Sequence, residues 1–222
     1  GESFDKLLKR GETFTQPQVV KWTRQLLEAL IYLHSQPPYG ILHGDIKPAN
    51  VMLTPQGDIR LIDFNIALAL GAEGAVAVGK SRGYASPEHY GIEVLEEVTG
   101  KQRMPIDQRE TVLLRENGET IPLDSTPSSS GSSRTSLLDA RSDIYSLGAT
   151  IYHILSGIKP AAKATDVAPL SEAGFRGSFI QVIAKAMEPD PDKRYQSAQQ
   201  MLKDLNSLHR MDIRYKRLYR VR

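Results

Sequence analysis

A mainly α-helical domain with one or two short β-hairpins is what this sequence predicts. Three observations carry the reading. Five stretches place apolar residues at helical spacing, near 4–10, 15–34, 141–156, 178–188 and 196–208. A single pair of short Val- and Ile-rich runs, 51–53 and 59–63, flanks the turn Thr54-Pro55-Gln56-Gly57-Asp58. Cys is absent, which removes a disulfide framework, thiol catalysis and Cys-ligated zinc together.

Each element has a local cause. The first helix ends near Gly11. Thr15 opens the second, with Gln18 at capping-box spacing and Pro17 in the first turn. Val19, Trp22, Leu26, Leu30 and Leu33 form its apolar stripe, and Pro37, Pro38 and Gly40 stop it. The run after the hairpin, 66–80, is rich in Gly and Ala with little periodicity and reads as a mobile loop. Ile144, Leu147, Ile151 and Leu155 line one face of the third helix, and Gly157 stops it. Pro189 and Pro191 separate the last two.

Composition bounds the function. With 222 residues, 40% of them hydrophobic and 24% charged, the chain can bury a core and is not disordered throughout. Lys and Arg number 28 against 26 Asp and Glu, a formal net charge of +2, which argues against a nucleic-acid partner. No apolar run approaches the roughly 20 residues of a membrane span, and the N-terminus lacks the apolar core of a signal peptide. A cytoplasmic location is expected. The tail 209–222 is basic, with six Arg or Lys among its last thirteen residues. It reads either as a segment at the cytoplasmic face of an anionic membrane or as a solvated helix end.

The chemistry concentrates in His43-Gly44-Asp45-Ile46-Lys47-Pro48-Ala49-Asn50 and Asp63-Phe64-Asn65. Asn50 precedes the first strand of the hairpin and Asp63 ends the second, so a tight hairpin brings them close together. Two neighbouring oxygen ligands suit Mg²⁺, which takes few protein ligands and shares the rest with phosphates and water. Lys47 can reach across the same pocket as a cation, and Asp45 can accept a proton or orient a hydroxyl. A metal, a charge clamp and a base together describe phosphoryl transfer.

The motif His43–Asn50 resembles the catalytic loop of the protein kinase family, and Asp63-Phe64-Asn65 resembles its metal-binding Asp-Phe-Gly. Residues 83–91, 139–157 and 190–202 resemble, in order, its Ala-Pro-Glu region, its central buried helix and its closing segment with a single Arg. The details are similar to bacterial serine/threonine kinases. The resemblance implies a kinase-like large (C-terminal) lobe over 1–208 with an insertion at 92–136, disordered around 124–136. It implies ATP and Mg²⁺ as cofactors and a protein as substrate. Asp45 would be the base, and Lys47 would stabilise the transferring phosphoryl group. Asn50 and Asp63 would hold Mg²⁺. Met52 would lie beneath the adenine, and Glu2 would reach the ribose. Ser81 would bond the catalytic Asp and shape the substrate loop. Glu88 would pair with Arg194, and Asp143 would bond the catalytic-loop backbone. His43 would pack against the Asp-Phe element that includes Phe64, and His34, His89 and His209 have no metal-ligand spacing.

Departures from the family pattern qualify this picture. The Gly-rich loop, strand Lys and helix Glu of a small lobe are not in the sequence. Lys6, Lys9 and Lys21 lie on predicted helices and cannot stand in. The N-terminal lobe is therefore expected to be a missing partner, the fragment by itself inactive, and its uncovered apolar surface prone to self-association. Gly44 replaces the usual Arg that reads an activation-loop phosphate, and 66–80 contains no Ser, Thr or Tyr. Activation by phosphorylation within that loop is not expected. Asn65 replaces Gly and tolerates positive φ. The insertion carries seven Ser between 125 and 136 and reads as a solvated loop or as a docking or autophosphorylation segment. Ala49 and His153 stand where basic-directed kinases place acids, which argues against selection for Arg upstream of the phosphosite. Two functions stay open: a serine/threonine kinase lobe, and a pseudokinase or stand-alone lobe used as a protein-binding scaffold.

Overall fold

The computed structural model describes residues 1–38, 40–63, 81–88, 138–161 and 177–208, together with the backbone of 68–69. These all belong to one unit, Gly1–Tyr90 with Leu137–Arg222. The insertion 92–136, the tail 209–222, Phe64, Asn65, His89 and His209 lie outside the described residues.

In chain order the elements are β1 (Glu2–Ser3), α1 (Phe4–Lys9), α2 (Gln16–His34), β2 (Ile41–Leu42), a 3-10 turn (Pro48–Asn50), β3 (Val51–Leu53), β4 (Ile59–Leu61), β5 (Leu68–Ala69), α3 (Ala140–Ser156), α4 (Ser178–Ala186) and α5 (Ala198–Asn206). Helix α2 starts where the sequence predicts. Thr15 N and Oγ1 both donate to Gln18 Oε1, at 2.9 and 2.7 Å. Its stripe Val19, Trp22, Leu26 and Leu30 is buried, with Leu27 beside it, whereas Leu33 is half-buried. Trp22 meets Phe4 and Phe14 edge to face, with ring centroids 4.9 and 5.2 Å apart. This cluster joins α1 to α2.

Three features differ from the sequence reading. The hairpin is there, but β4 ends at Leu61, and Ile62 and Asp63 lie beyond it. The remaining strands are non-local pairs rather than a second hairpin. Strand β1 joins the hairpin in the antiparallel order β1-β3-β4, with Ser3 opposite Met52, and β2 pairs with β5. The 66–80 run therefore contributes a strand at Leu68–Ala69, where a loop was expected. Two-residue strands carry no periodicity, so their pairing is invisible until the partner is in place.

The third difference is α3. Every residue from Ser142 to Tyr152 is buried, not one face alone. The helix packs against α2 and α4, and Thr150 Oγ1 donates to Ile46 O at 3.2 Å. Gly148 makes the α4 contact close. A Cβ there would lie 2.8 Å from Met187 Cγ and 3.0 Å from Ala186 Cβ. Gly148→Ala is expected to cost about 1–2 kcal/mol, because overpacking outweighs the helix-propensity gain. Urea denaturation of the variant checks this, and a stabilised variant would show that α4 can shift away.

Candidate active site

The loop that carries His43–Asn50 is held from behind by α3. Asp143 is fully buried. Its Oδ2 accepts from His43 N at 2.8 Å and its Oδ1 from Gly44 N at 2.9 Å. His34 Nε2, at the end of α2, lies 3.0 Å from the same Oδ2. Sequence reasoning assigned His34 no role, and no spacing could reveal it, because the partner is 109 residues away. One carboxylate thus ties α2, α3 and the loop together. Asp143→Asn keeps the shape but turns a donor toward these N–H groups. A loss of about 2 kcal/mol is expected from unpaired buried donors. Thermal unfolding measures it, and an unchanged Tm would mean the loop holds without this anchor.

Gly44 has a backbone reason for its identity. Its φ is +77°, a conformation that L side chains rarely adopt. The sequence reading linked Gly44 to the absence of a phosphate to read, with drift in an inactive enzyme as the alternative. The backbone reason is compatible with either and needs no assumption about regulation.

His43 is fully buried under the loop. Its Nδ1 accepts from Asp45 N at 3.3 Å, and its Nε2 sits 3.2 Å from Ile62 O. Both contacts are satisfied by one neutral tautomer with the proton on Nε2. The ring braces the segment leading into Asp63.

Asp45 presents its carboxylate to three donors. Lys47 Nζ donates to Oδ2 at 2.6 Å, and Ser81 Oγ donates to Oδ1 at 2.6 Å. Asn50 Nδ2 donates to Oδ2 at 3.1 Å and to Asp45 O at 2.8 Å. Lys47 Nζ also reaches Ser81 Oγ at 2.9 Å. Asp45, Lys47, Ser81 and Asn50, drawn from the loop, the 3-10 turn and the 81–88 segment, therefore form one polar cluster. Asp45 is 9% exposed and the Lys47 side chain 27%, so the cluster opens to solvent on the lysine side.

Asn50 and Asp63 come to one end of the hairpin. Val51 pairs with Leu61, and Ile62 N donates to Asn50 O at 2.9 Å. Asp63 is exposed, has φ +66°, and makes no hydrogen bond or ion pair to a described residue. The amide nitrogen of Asn50 is engaged with Asp45, so its oxygen is the atom of the amide that could ligate a metal. An amide oxygen and a carboxylate are hard ligands of the kind Mg²⁺ takes, so this donor set fits that ion. Among the described residues no three His, Cys, Asp or Glu side chains gather as a metal site.

The two residues expected to contact the nucleotide sit in or beside the three-stranded sheet. Met52 is half-buried in β3, the middle strand of its sheet, between Ser3 and Arg60. Glu2 is turned to Arg10, whose Nη1 donates to its Oε1 at 2.6 Å. Any contact from Glu2 to a ribose must compete with that pair.

Glu88 and Arg194 meet as a buried bidentate pair, at 2.7 and 2.8 Å. Burial pushes the Glu88 carboxyl up, but the hydrogen bonds and charge of Arg194 outweigh it and hold the group below its usual value. The hairpin turn is anchored from α2, another contact the sequence did not reveal. Trp22 Nε1 and Lys21 Nζ both donate to Gly57 O, and Gln25 Oε1 accepts from Ile59 N.

Comparison with known proteins finds sequence similarity to protein kinases. Residues 1–100 match the family model of the protein kinase domain. The probable serine/threonine-protein kinase SCO3848 of Streptomyces coelicolor is 29% identical over 226 residues, covering 93% of this chain and 27% of its own length. Serine/threonine-protein kinase PknB of Mycolicibacterium smegmatis is 28% identical over 209 residues, covering 82% of this chain and 25% of its own. PknB of Mycobacterium tuberculosis is 26% identical over 217 residues, covering 88% and 27%. The chain thus spans about a quarter of the length of these relatives. Among the described residues, no helix is long and apolar enough to cross a membrane. Across most of its length, the chain is similar to bacterial serine/threonine protein kinases.

Proposed function

We propose that this chain supplies the catalytic-loop half of a serine/threonine protein kinase, the lobe that binds the protein substrate. One observation carries the reading: Lys47, Ser81 and Asn50 converge on the Asp45 carboxylate at 2.6–3.1 Å, beside the hairpin end that carries Asp63. A preorganised carboxylate next to a cation and two oxygen ligands is what phosphoryl transfer needs.

In this reading the acceptor hydroxyl of a Ser or Thr enters beside Asp45 and takes up part of the hydrogen bonding that Ser81 provides. Asp45 orients the hydroxyl and receives its proton as the oxygen–phosphorus bond forms and the bond to the ADP oxygen breaks. Lys47, already 2.6 Å from Asp45, offers its charge to the transferring phosphoryl oxygens. Asn50 and Asp63 would hold Mg²⁺, which when bound neutralises phosphate charge. Asp143 and His43 act on none of the reacting atoms; they hold the loop that does. Met52 in β3 would lie beneath the adenine, and Ser81 shapes the substrate loop.

The test is transfer of the γ-phosphoryl group from Mg-ATP to a generic protein substrate by the full-length protein. Phosphoserine or phosphothreonine that disappears on chelation of Mg²⁺ is expected. A folded, ATP-binding protein that transfers nothing would overturn the proposal and favour a scaffold.

A further inference from the structure

A cleft of about 450 Å³ opens beside the polar cluster, on the lysine side. Its walls include Lys47, Ser81, Arg82, Tyr84, His153 and Lys159. The cleft is therefore continuous with the groups that bond Asp45. Its charge is one-sided once internal pairs are removed. Lys47 is paired with Asp45. Lys9 and Asp5, also on the wall, pair with each other at 2.8 Å. Arg82 and Lys159 are exposed, and neither makes a hydrogen bond or ion pair to a described residue. Lys159 lies over the Tyr84 ring, 5.7 Å from its centroid.

Among the described residues, the remaining polar wall adds no acid. Tyr84 Oη and His153 Nδ1 are hydrogen-bonded at 2.7 Å. Burial first, and then the charge of Lys159, push the His153 imidazole below its ordinary value despite Asp5, so the ring is neutral at pH 7. Ala49 contributes a methyl group. Among the described residues, a peptide cation in this cleft would face Arg82 and Lys159 and find the carboxylates of Asp5 and Asp45 already engaged.

We infer that this cleft takes an acidic peptide: a segment with Asp or Glu within about three residues of the acceptor Ser or Thr, read by Arg82 and Lys159. The inference rests on the reading of Asp45 as the point where the acceptor hydroxyl binds. Two solvent-exposed cations acting on a carboxylate are worth about a fivefold to tenfold preference, reduced by salt.

The experiment uses the full-length protein and fluorescein-labelled nonapeptides with a central Thr flanked by Glu, Gln or Lys. Binding is read by anisotropy at low and at 0.5 M salt. The Glu peptide is expected to bind about fivefold to tenfold more tightly than the Gln peptide at low salt. Arg82→Glu with Lys159→Glu should invert the order in favour of the Lys peptide. If that double variant does not fold, Arg82→Gln and Lys159→Gln singly should each lower the Glu preference about twofold to threefold. Equal or tighter binding of the Gln or Lys peptide, no binding of any peptide, or a Glu preference indifferent to these substitutions would overturn the inference. Phosphoryl transfer to the same peptides separates the two readings. Transfer without Glu preference sinks this one and leaves the kinase standing. Glu-selective binding with no transfer to any peptide does the reverse.

Discussion

Asp45→Asn in the full-length protein is expected to lower kcat about 10²–10⁴-fold, the usual contribution of a positioned general base, with little change in KM for ATP. Asparagine keeps the volume and one oxygen of the carboxylate. It cannot receive the hydroxyl proton, and its amide turns a donor toward Lys47 or Ser81, which both donate to Asp45. The fold should survive. The Lys47 side chain is 27% exposed, so an unpaired ammonium there regains water instead of being stranded. Single-turnover phosphoryl transfer with equal folded protein is the measurement. A loss of less than tenfold would remove Asp45 from the role of base, and the cluster would then be a structural one.

The largest effect on stability is expected at Arg194. Its side chain is completely buried, and it donates to both oxygens of Glu88. It also donates to Glu188 O, to Pro189 O at 2.9 Å and to Arg141 O at 3.2 Å. Its guanidinium lies 4.9 Å from the Tyr145 ring centroid. Arg194→Met removes the partner of a buried carboxylate and the donor to three carbonyls. A loss of about 3–5 kcal/mol is expected, the range for breaking a buried pair on one side. Adding Glu88→Leu should recover only part, because the carbonyls stay without their donor and Ser142 Oγ loses its acceptor on Glu88. Urea denaturation of the two singles and the double measures the coupling. A single-variant cost below about 1 kcal/mol would mean that water replaces the guanidinium.

The same pair sets a pH dependence. Glu88 is held below its usual value in the fold. Its contribution is therefore complete above the unfolded carboxyl value and is lost as pH falls through the folded one. Acid should weaken the contact between the 81–88 segment and the α4–α5 connection, whereas mild base should leave it unchanged.

Much of the fold was legible because helices are local. A cap such as Thr15 with Gln18, an apolar stripe and a stop are written within one segment, and α2, α4 and α5 follow them to within a few residues. The hairpin was legible for the same reason, since its turn and both strands lie between 51 and 61. Strand β1 and the β2–β5 pair were not, because two residues carry no alternation and their partners are distant. Helix α3 was recognised by one apolar face but is buried on all sides, which depends on what packs around it.

The candidate site divides along the same line. The sequence by itself determined which groups are present: a carboxylate at 45, a cation at 47 and an amide at 50, in the spacing of a kinase catalytic loop, with a second carboxylate at 63. Side-chain chemistry and close spacing survive without a fold. The resemblance to a known family also anticipated Ser81 at Asp45 and Asp143 at the loop backbone; only the tertiary structure decided that His34 joins Asp143 from a second helix, and that Arg82 and Lys159 stand beside the cluster with no hydrogen bond or ion pair to a described residue. Those facts depend on distances between residues tens of positions apart and on which charges already have partners. Both are set by packing, which one-dimensional spacing does not encode.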